Sequence, residues 1–145
     1  MQKLLSWISK QAYVIVFIIS AFGMVGSLYY SEILGLTPCL LCWYQRISLY
    51  PIVLISAMAL WFEDKKAYRY ILALIAFGTL ISIYQNLLYY GIIPEKLAPC
   101  ILGVSCTTRY DSWLAFVPIP LQALGAHLAI LAVMIVKWRE ERKTA

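Results

Sequence analysis

The chain has 145 residues, of which 63% are hydrophobic and 13% charged, and its mean hydropathy is +0.78. A soluble domain has about a quarter of its residues charged, and so much apolar surface exceeds what one small core can hide. The net charge of +5 comes from short basic clusters between apolar runs, a pattern of membrane topology that argues against nucleic-acid binding.

Taken in chain order, four stretches carry no charged side chain: Gln11–Ser31, Ile47–Phe62, Tyr70–Pro94 and Ser112–Val136. Each can hold a helix of about 17–25 residues across a ~30 Å hydrocarbon core. We therefore expect an all-α integral membrane protein, a single membrane domain over residues 1–145 built as a four-helix up-down bundle. The expected spans are about 12–31, 38–62, 70–93 and 118–137, with outer loops at about 32–37 and 94–117. Extending the second span back to Thr37 places Arg46 inside it, a cost that needs a reason. The first span follows Lys3 and Lys10, but its apolar run is longer than a signal core and no A-x-A site follows, so it reads as a retained helix.

Four spans put both termini on one side. That side and the central loop hold Lys3, Lys10, Lys65, Lys66, Arg69, Lys137, Arg139, Arg142 and Lys143, against Lys96, Arg109 and Arg46 on the other. By the positive-inside rule both termini are expected in the cytoplasm, with segments 31–38 and 94–112 facing outward. The four cysteines, Cys39, Cys42, Cys100 and Cys106, then lie on or near the outer side, which in bacteria is oxidising. Two inert structural bridges would satisfy that count.

The surroundings of Cys39 favour redox chemistry. Thr37 can cap a helix and Pro38 fits a first turn, so Cys39 and Cys42 form a C-x-x-C pair at a helix start, where free N–H groups and the macrodipole favour a thiolate on Cys39. The thiolate is the attacking and leaving form in disulfide exchange. Cys39, Cys42 and Arg46 share one helical stripe, with Arg46 a turn deeper. That guanidinium could stabilise a Cys42 thiolate, bind an electron-rich oxygen of a redox ligand, or snorkel to the headgroups. A thiol pair that discharges into the membrane needs a lipid-soluble oxidant, and a quinone meets that need.

The string Pro38-Cys39-Leu40-Leu41-Cys42-Trp43-Tyr44-Gln45-Arg46, the four spans and a second cysteine pair before the last span resemble the DsbB/BdbC family of disulfide bond formation proteins, over about residues 10–137. The resemblance implies an enzyme, a protein-dithiol:quinone oxidoreductase in the cytoplasmic (inner) membrane of a bacterium. Such an enzyme reoxidises a soluble thioredoxin-fold thiol oxidase (DsbA/BdbD-like) and reduces ubiquinone or menaquinone. It implies that Cys39 and Cys42 are the quinone-side pair, with Cys42 against the quinone ring and Arg46 binding and polarising it. It makes Cys100 and Cys106 the partner-side pair, Cys100 forming the mixed disulfide and Cys106 attacking at Cys39. Only five residues separate Cys100 from Cys106, a short form that resembles the compact branch of the family and leaves the exchange order open.

The second pair follows Pro94 and Pro99, and Gly103 permits a tight reversal that could join the sulfurs in an easily reduced loop. A clip that merely shapes the loop is the alternative. Zinc is disfavoured because one pair opens a membrane helix and the other is C-x5-C. His127, with no second histidine in the chain, reads as hydrogen-bonded within the bundle. Gln85 and Asn86 either bond between helices or line a quinone pocket, where Gln85 is the candidate contact. Trp113, Leu114, Phe116 and Val117 suit a short interfacial segment, and Tyr29, Tyr30, Tyr89 and Tyr90 an aromatic belt. Two rivals remain: a non-enzymatic small membrane protein with two structural disulfides, and an enzyme working like the vitamin K epoxide reductases, whose C-x-x-C stands elsewhere in the bundle.

Overall fold

A computed structural model describes residues 2–94, Ser105 and 117–144. The described chain is all-helical: α1 (Gln2–Lys10), α2 (Ala12–Leu28), a π-helical turn continuing α2 (Tyr29–Ile33), α3 (Leu40–Trp61), α4 (Tyr68–Tyr89) and α5 (Ile119–Thr144). Four of these runs are long and apolar enough to cross a membrane: Ala12–Ile33, Leu40–Trp61, Tyr68–Tyr89 and Ile119–Lys143. The helices pack as a square in which α2 lies beside α3, α3 beside α4, α4 beside α5 and α5 beside α2.

The core of the square is a cluster formed by Ala12, Val16, Leu49, Ile52, Tyr68, Ile71, Ile75, Ile130 and Met134. Large apolar side chains such as Ile18, Phe22, Leu54, Met58, Phe77 and Leu80 point outward, which suits a lipid surround. Because lipid offers no hydrophobic force between helices, close packing and polar contacts must do that work. Small buried residues permit the close packing, with their hydroxyls satisfied within their own helices. Ser48, Ser56 and Thr79 return their hydroxyls to carbonyls of their own helices, at Gln45, Ile52 and Ile75.

Two helix ends explain how the chain turns. After α4, the N–H of Gly91 bonds to Leu88 O (3.0 Å) and that of Ile92 to Leu87 O (2.9 Å), with Gly91 at φ 73°. This is a Schellman stop, and only glycine takes that φ without cost. Between α3 and α4, Tyr13 of α2 holds the loop: its hydroxyl donates to Lys65 O (3.1 Å) and accepts from Tyr68 N–H (3.2 Å).

One helix is not expected from the charge gaps. Residues Gln2–Lys10 form α1, which packs on α5. Gln11 interrupts the path into α2 for a single residue, while its N–H still reaches Trp7 O and its carbonyl still accepts from Ile15 N–H, both at 3.0 Å.

Candidate functional site

Helix α3 starts differently from the expected Thr37 cap. Cys39 is itself the cap residue, in an extended conformation (φ −71°, ψ 168°), and Thr37 and Pro38 stand outside the helix. The reason is local: the Cys39 Sγ accepts the Cys42 N–H at 3.3 Å, satisfying one of the free donors of the first turn. The two sulfurs lie 2.7 Å apart as free thiols, so losing two electrons and two protons would join them with only a small local shift.

The same contact changes where the charge sits. The helix start favours a thiolate on Cys39. The hydrogen bond shared with Cys42, and then burial, push the Cys39 thiol above its ordinary range. Cys42 is the more accessible of the two, since Cys39 is only 6% exposed.

Helix α4 contributes the next layer. The Gln85 side-chain amide donates to the Cys39 and Cys42 sulfurs, at 3.3 Å each. Its oxygen accepts in turn from the Gln45 amide of α3. Both glutamines are buried, and their pairing turns the Gln85 N–H groups toward sulfur. Leu41, Leu88, Ile81, Tyr84 and Ile93 close an apolar collar around the cysteines. A thiol pair inside such a collar meets no water except from its accessible side, which strengthens each amide contact.

Arg46 is half-buried and turns to α2. Its Nη2 donates to Ser27 O at 2.9 Å, and its guanidinium lies 5.4 Å from the Trp43 ring centroid. It has no carboxylate partner among the described residues. A cation in a membrane span with only a carbonyl and a ring for company retains N–H donors for an electron-rich oxygen. The structure thus brings Cys39, Cys42 and Gln85 into one bonded group and sets Arg46 one turn further along α3. Cys100 and Cys106, and with them the expected contacts of the second pair, lie outside the described residues, as do Trp113, Leu114 and Phe116.

Gln45 is the site residue that the sequence analysis misses. The signal was present: it stands three residues after Cys42, a glutamine in an apolar run, as Gln85 is. Deeper in the bundle, His127 is hydrogen-bonded as expected. Its Nδ1 donates to Ala123 O at 2.7 Å, and its Nε2 lies 3.4 Å from Ser48 Oγ. Gly78 makes this close approach possible, because a Cβ there would collide with Ser48 Oγ and come within 2.7 Å of the His127 ring. Asn86 bridges α4 to α5 through its Nδ2 and Pro120 O, 2.9 Å apart. Its Oδ1 and the Ser82 Oγ are buried without a partner among the described residues. At the level of the cysteines the tyrosines meet edge to face, Tyr29 with Tyr30 and Tyr89 with Tyr90.

Comparison with known proteins places the chain in a family of disulfide bond formation proteins. The family model described as "Disulfide bond formation protein DsbB" matches residues 9–136. Disulfide bond formation protein C of Bacillus subtilis (strain 168) is 39% identical over 117 residues, covering 81% of this chain and 85% of that one. Probable disulfide formation protein C 2 of Bacillus cereus is 33% identical over 139 residues, covering 96% and 99%. A probable disulfide formation protein of Metapseudomonas resinovorans is 32% identical over 120 residues, covering 82% and 83%. No solved structure matches the chain.

Proposed function

Because the chain belongs to the DsbB family of disulfide bond formation proteins, we propose that it is a membrane thiol:quinone oxidoreductase that reoxidises a soluble thioredoxin-fold partner outside the cytoplasmic membrane. One observation carries this reading: a C-x-x-C pair opens a membrane helix with both sulfurs on the Gln85 amide and an unneutralised arginine one turn away. A permanent staple has no use for donors aimed at its sulfurs, whereas a pair that cycles through a thiolate does.

The proposed work of each residue follows from its chemistry. A thiolate of the reduced partner attacks Cys100 of the Cys100–Cys106 disulfide, and the partner's second thiol displaces it, so the partner leaves oxidised and the loop pair reduced. The thiolate of Cys106 then attacks at Cys39 of the closed Cys39–Cys42 pair, and Cys100 resolves that mixed disulfide. This returns the loop disulfide and leaves Cys39 and Cys42 as thiols. Gln85 stabilises negative charge on either sulfur, and Gln45 holds Gln85 in place.

The residues present fit a quinone. Arg46 has donors left for a carbonyl oxygen, Cys42 is accessible beside it, and Trp43 and Ile47 present apolar surface on the same helix. Arg46 and Cys42 would hold the ring, with Gln85, the other expected contact, acting on it through the sulfurs, and a bound quinone supplies an acceptor for the two electrons and two protons released as the dithiol closes. The basic excess at the termini and central loop supports cytoplasmic termini, with the cysteines at the extracytoplasmic face.

The test is loss of quinone absorbance with purified protein in detergent, a short-chain quinone and a reduced thioredoxin-fold donor. Catalysed loss that needs both cysteine pairs, and that Cys42→Ser abolishes, is the expected result. Normal turnover by Cys42→Ser would overturn the mechanism. Two disulfides inert to every donor and quinone offered would favour structural bridges instead.

A further inference from the structure

At the end of the bundle opposite the cysteines, α4 and α5 part around a cavity of about 410 Å³ lined by Tyr68, Arg69, Leu72, Trp138, Glu141 and Arg142. Tyr68, Leu72 and Trp138 give it an apolar side, and Arg69, Glu141 and Arg142 a charged one. Arg142 lies over the Trp138 ring at 4.1 Å, and Arg69 over the Tyr68 ring at 5.9 Å, with its Nε 3.4 Å from the Tyr68 hydroxyl. Arg142 stacked on its ring keeps its N–H edge, and Arg69 its Nη donors, for a planar or tetrahedral anion. Neither arginine has a carboxylate partner among the described residues. The one acid in the lining, Glu141, is held by Lys137 at 2.7 Å.

We propose that this cavity is a binding site for one anionic phospholipid, its phosphate between Arg69 and Arg142 and its upper acyl chain along Leu72 and Trp138. Three features favour a lipid over a free anion. The cavity stands where two membrane spans end, Leu72 with the Tyr68 and Trp138 rings supplies an apolar side, and those rings suit the headgroup boundary. Phosphatidylglycerol has the required single negative charge. This proposal does not depend on the redox reading.

The test uses the full chain in detergent micelles, titrated with tail-labelled phosphatidylglycerol and phosphatidylcholine. Phosphatidylglycerol should saturate at one per chain and bind at least about tenfold more tightly than phosphatidylcholine. Arg69→Gln with Arg142→Gln should weaken it about thirtyfold. Lys65→Gln with Lys66→Gln, which removes equal charge from the exposed loop nearby, should change it less than about threefold. Equal loss in the two pairs, or equal binding of the two lipids, would overturn the site. Displacement of the lipid by equimolar glycerol phosphate would show that the phosphate alone is read, and would overturn the assignment to lipid. If the glutamine pair does not fold, Arg69→Lys with Arg142→Lys must keep the preference for phosphatidylglycerol, and losing it overturns the proposal.

Discussion

Replacing Gln85 by leucine isolates the step that distinguishes a working thiol pair from a structural one. Gln85 donates to both sulfurs at 3.3 Å, and a hydrogen bond to an ionised acceptor contributes about 1.5–3 kcal/mol. Because one amide serves two sulfurs, the lower value applies, and about 1.5 kcal/mol corresponds to about a tenfold loss of thiolate at fixed pH. The assay is the rate of iodoacetamide alkylation of Cys42, read by mass spectrometry, in reduced protein with Cys100 and Cys106 replaced by serine. The substitution also orphans the buried Gln45 amide, so stability should fall by about 1–3 kcal/mol. Gln45→Leu alone should slow alkylation by less, because Gln85 survives but is no longer oriented. The double variant leaves neither amide unpaired, so its loss of stability should be at least about 1 kcal/mol smaller than the two single losses summed. Unchanged alkylation in Gln85→Leu would refute the claim that this amide supports the thiolate. Strictly additive stabilities would refute the coupling of the two glutamines.

Arg46→Gln should raise the KM for a short-chain quinone by about tenfold or more while changing kcat less, because it removes a charged donor. An unchanged KM in steady-state quinone reduction would remove that role. Gly78→Ala should destabilise the bundle by about 1–3 kcal/mol, seen as a lower melting temperature in detergent, since the added methyl collides with Ser48 and His127. Cys100→Ser should stop oxidation of the protein partner while leaving Cys39 and Cys42 open to direct reduction by dithiothreitol, measured by thiol titration. Loss of both would assign Cys100 to the quinone-side pair.

Much of the fold was legible because a membrane span must be long and uncharged, and the four gaps between charges have that length. The position of α1 was not. Lys3 and Lys10 were read as orientation signals, and nothing in a nine-residue stretch predicts that Ser9 will be buried while Trp7 stays exposed. At the site, helical spacing put Cys39, Cys42 and Arg46 on one stripe. It could not rank Gln45 against Arg46, since three and four residues after Cys42 are equally good neighbours. Crossing partners decide between them: α4 brings Gln85 to meet Gln45, and α2 brings the Ser27 carbonyl to meet Arg46. The Thr37 cap was the expected choice by residue type, and a sulfur took the position because Cys39 could reach the Cys42 N–H.

That sulfur cap ties the oxidation state of the protein to the firmness of a helix end. A thiol or thiolate accepts the Cys42 amide proton and the Gln85 amide, whereas a disulfide sulfur is a far poorer acceptor. Closing the pair therefore weakens the cap on the first turn of α3 and the contact with the Gln85 amide, and reducing it restores both. Amide exchange at Cys42 should be faster in the oxidised protein than in the reduced one. Equal exchange in the two states would refute this link between the cap and the redox state of the pair.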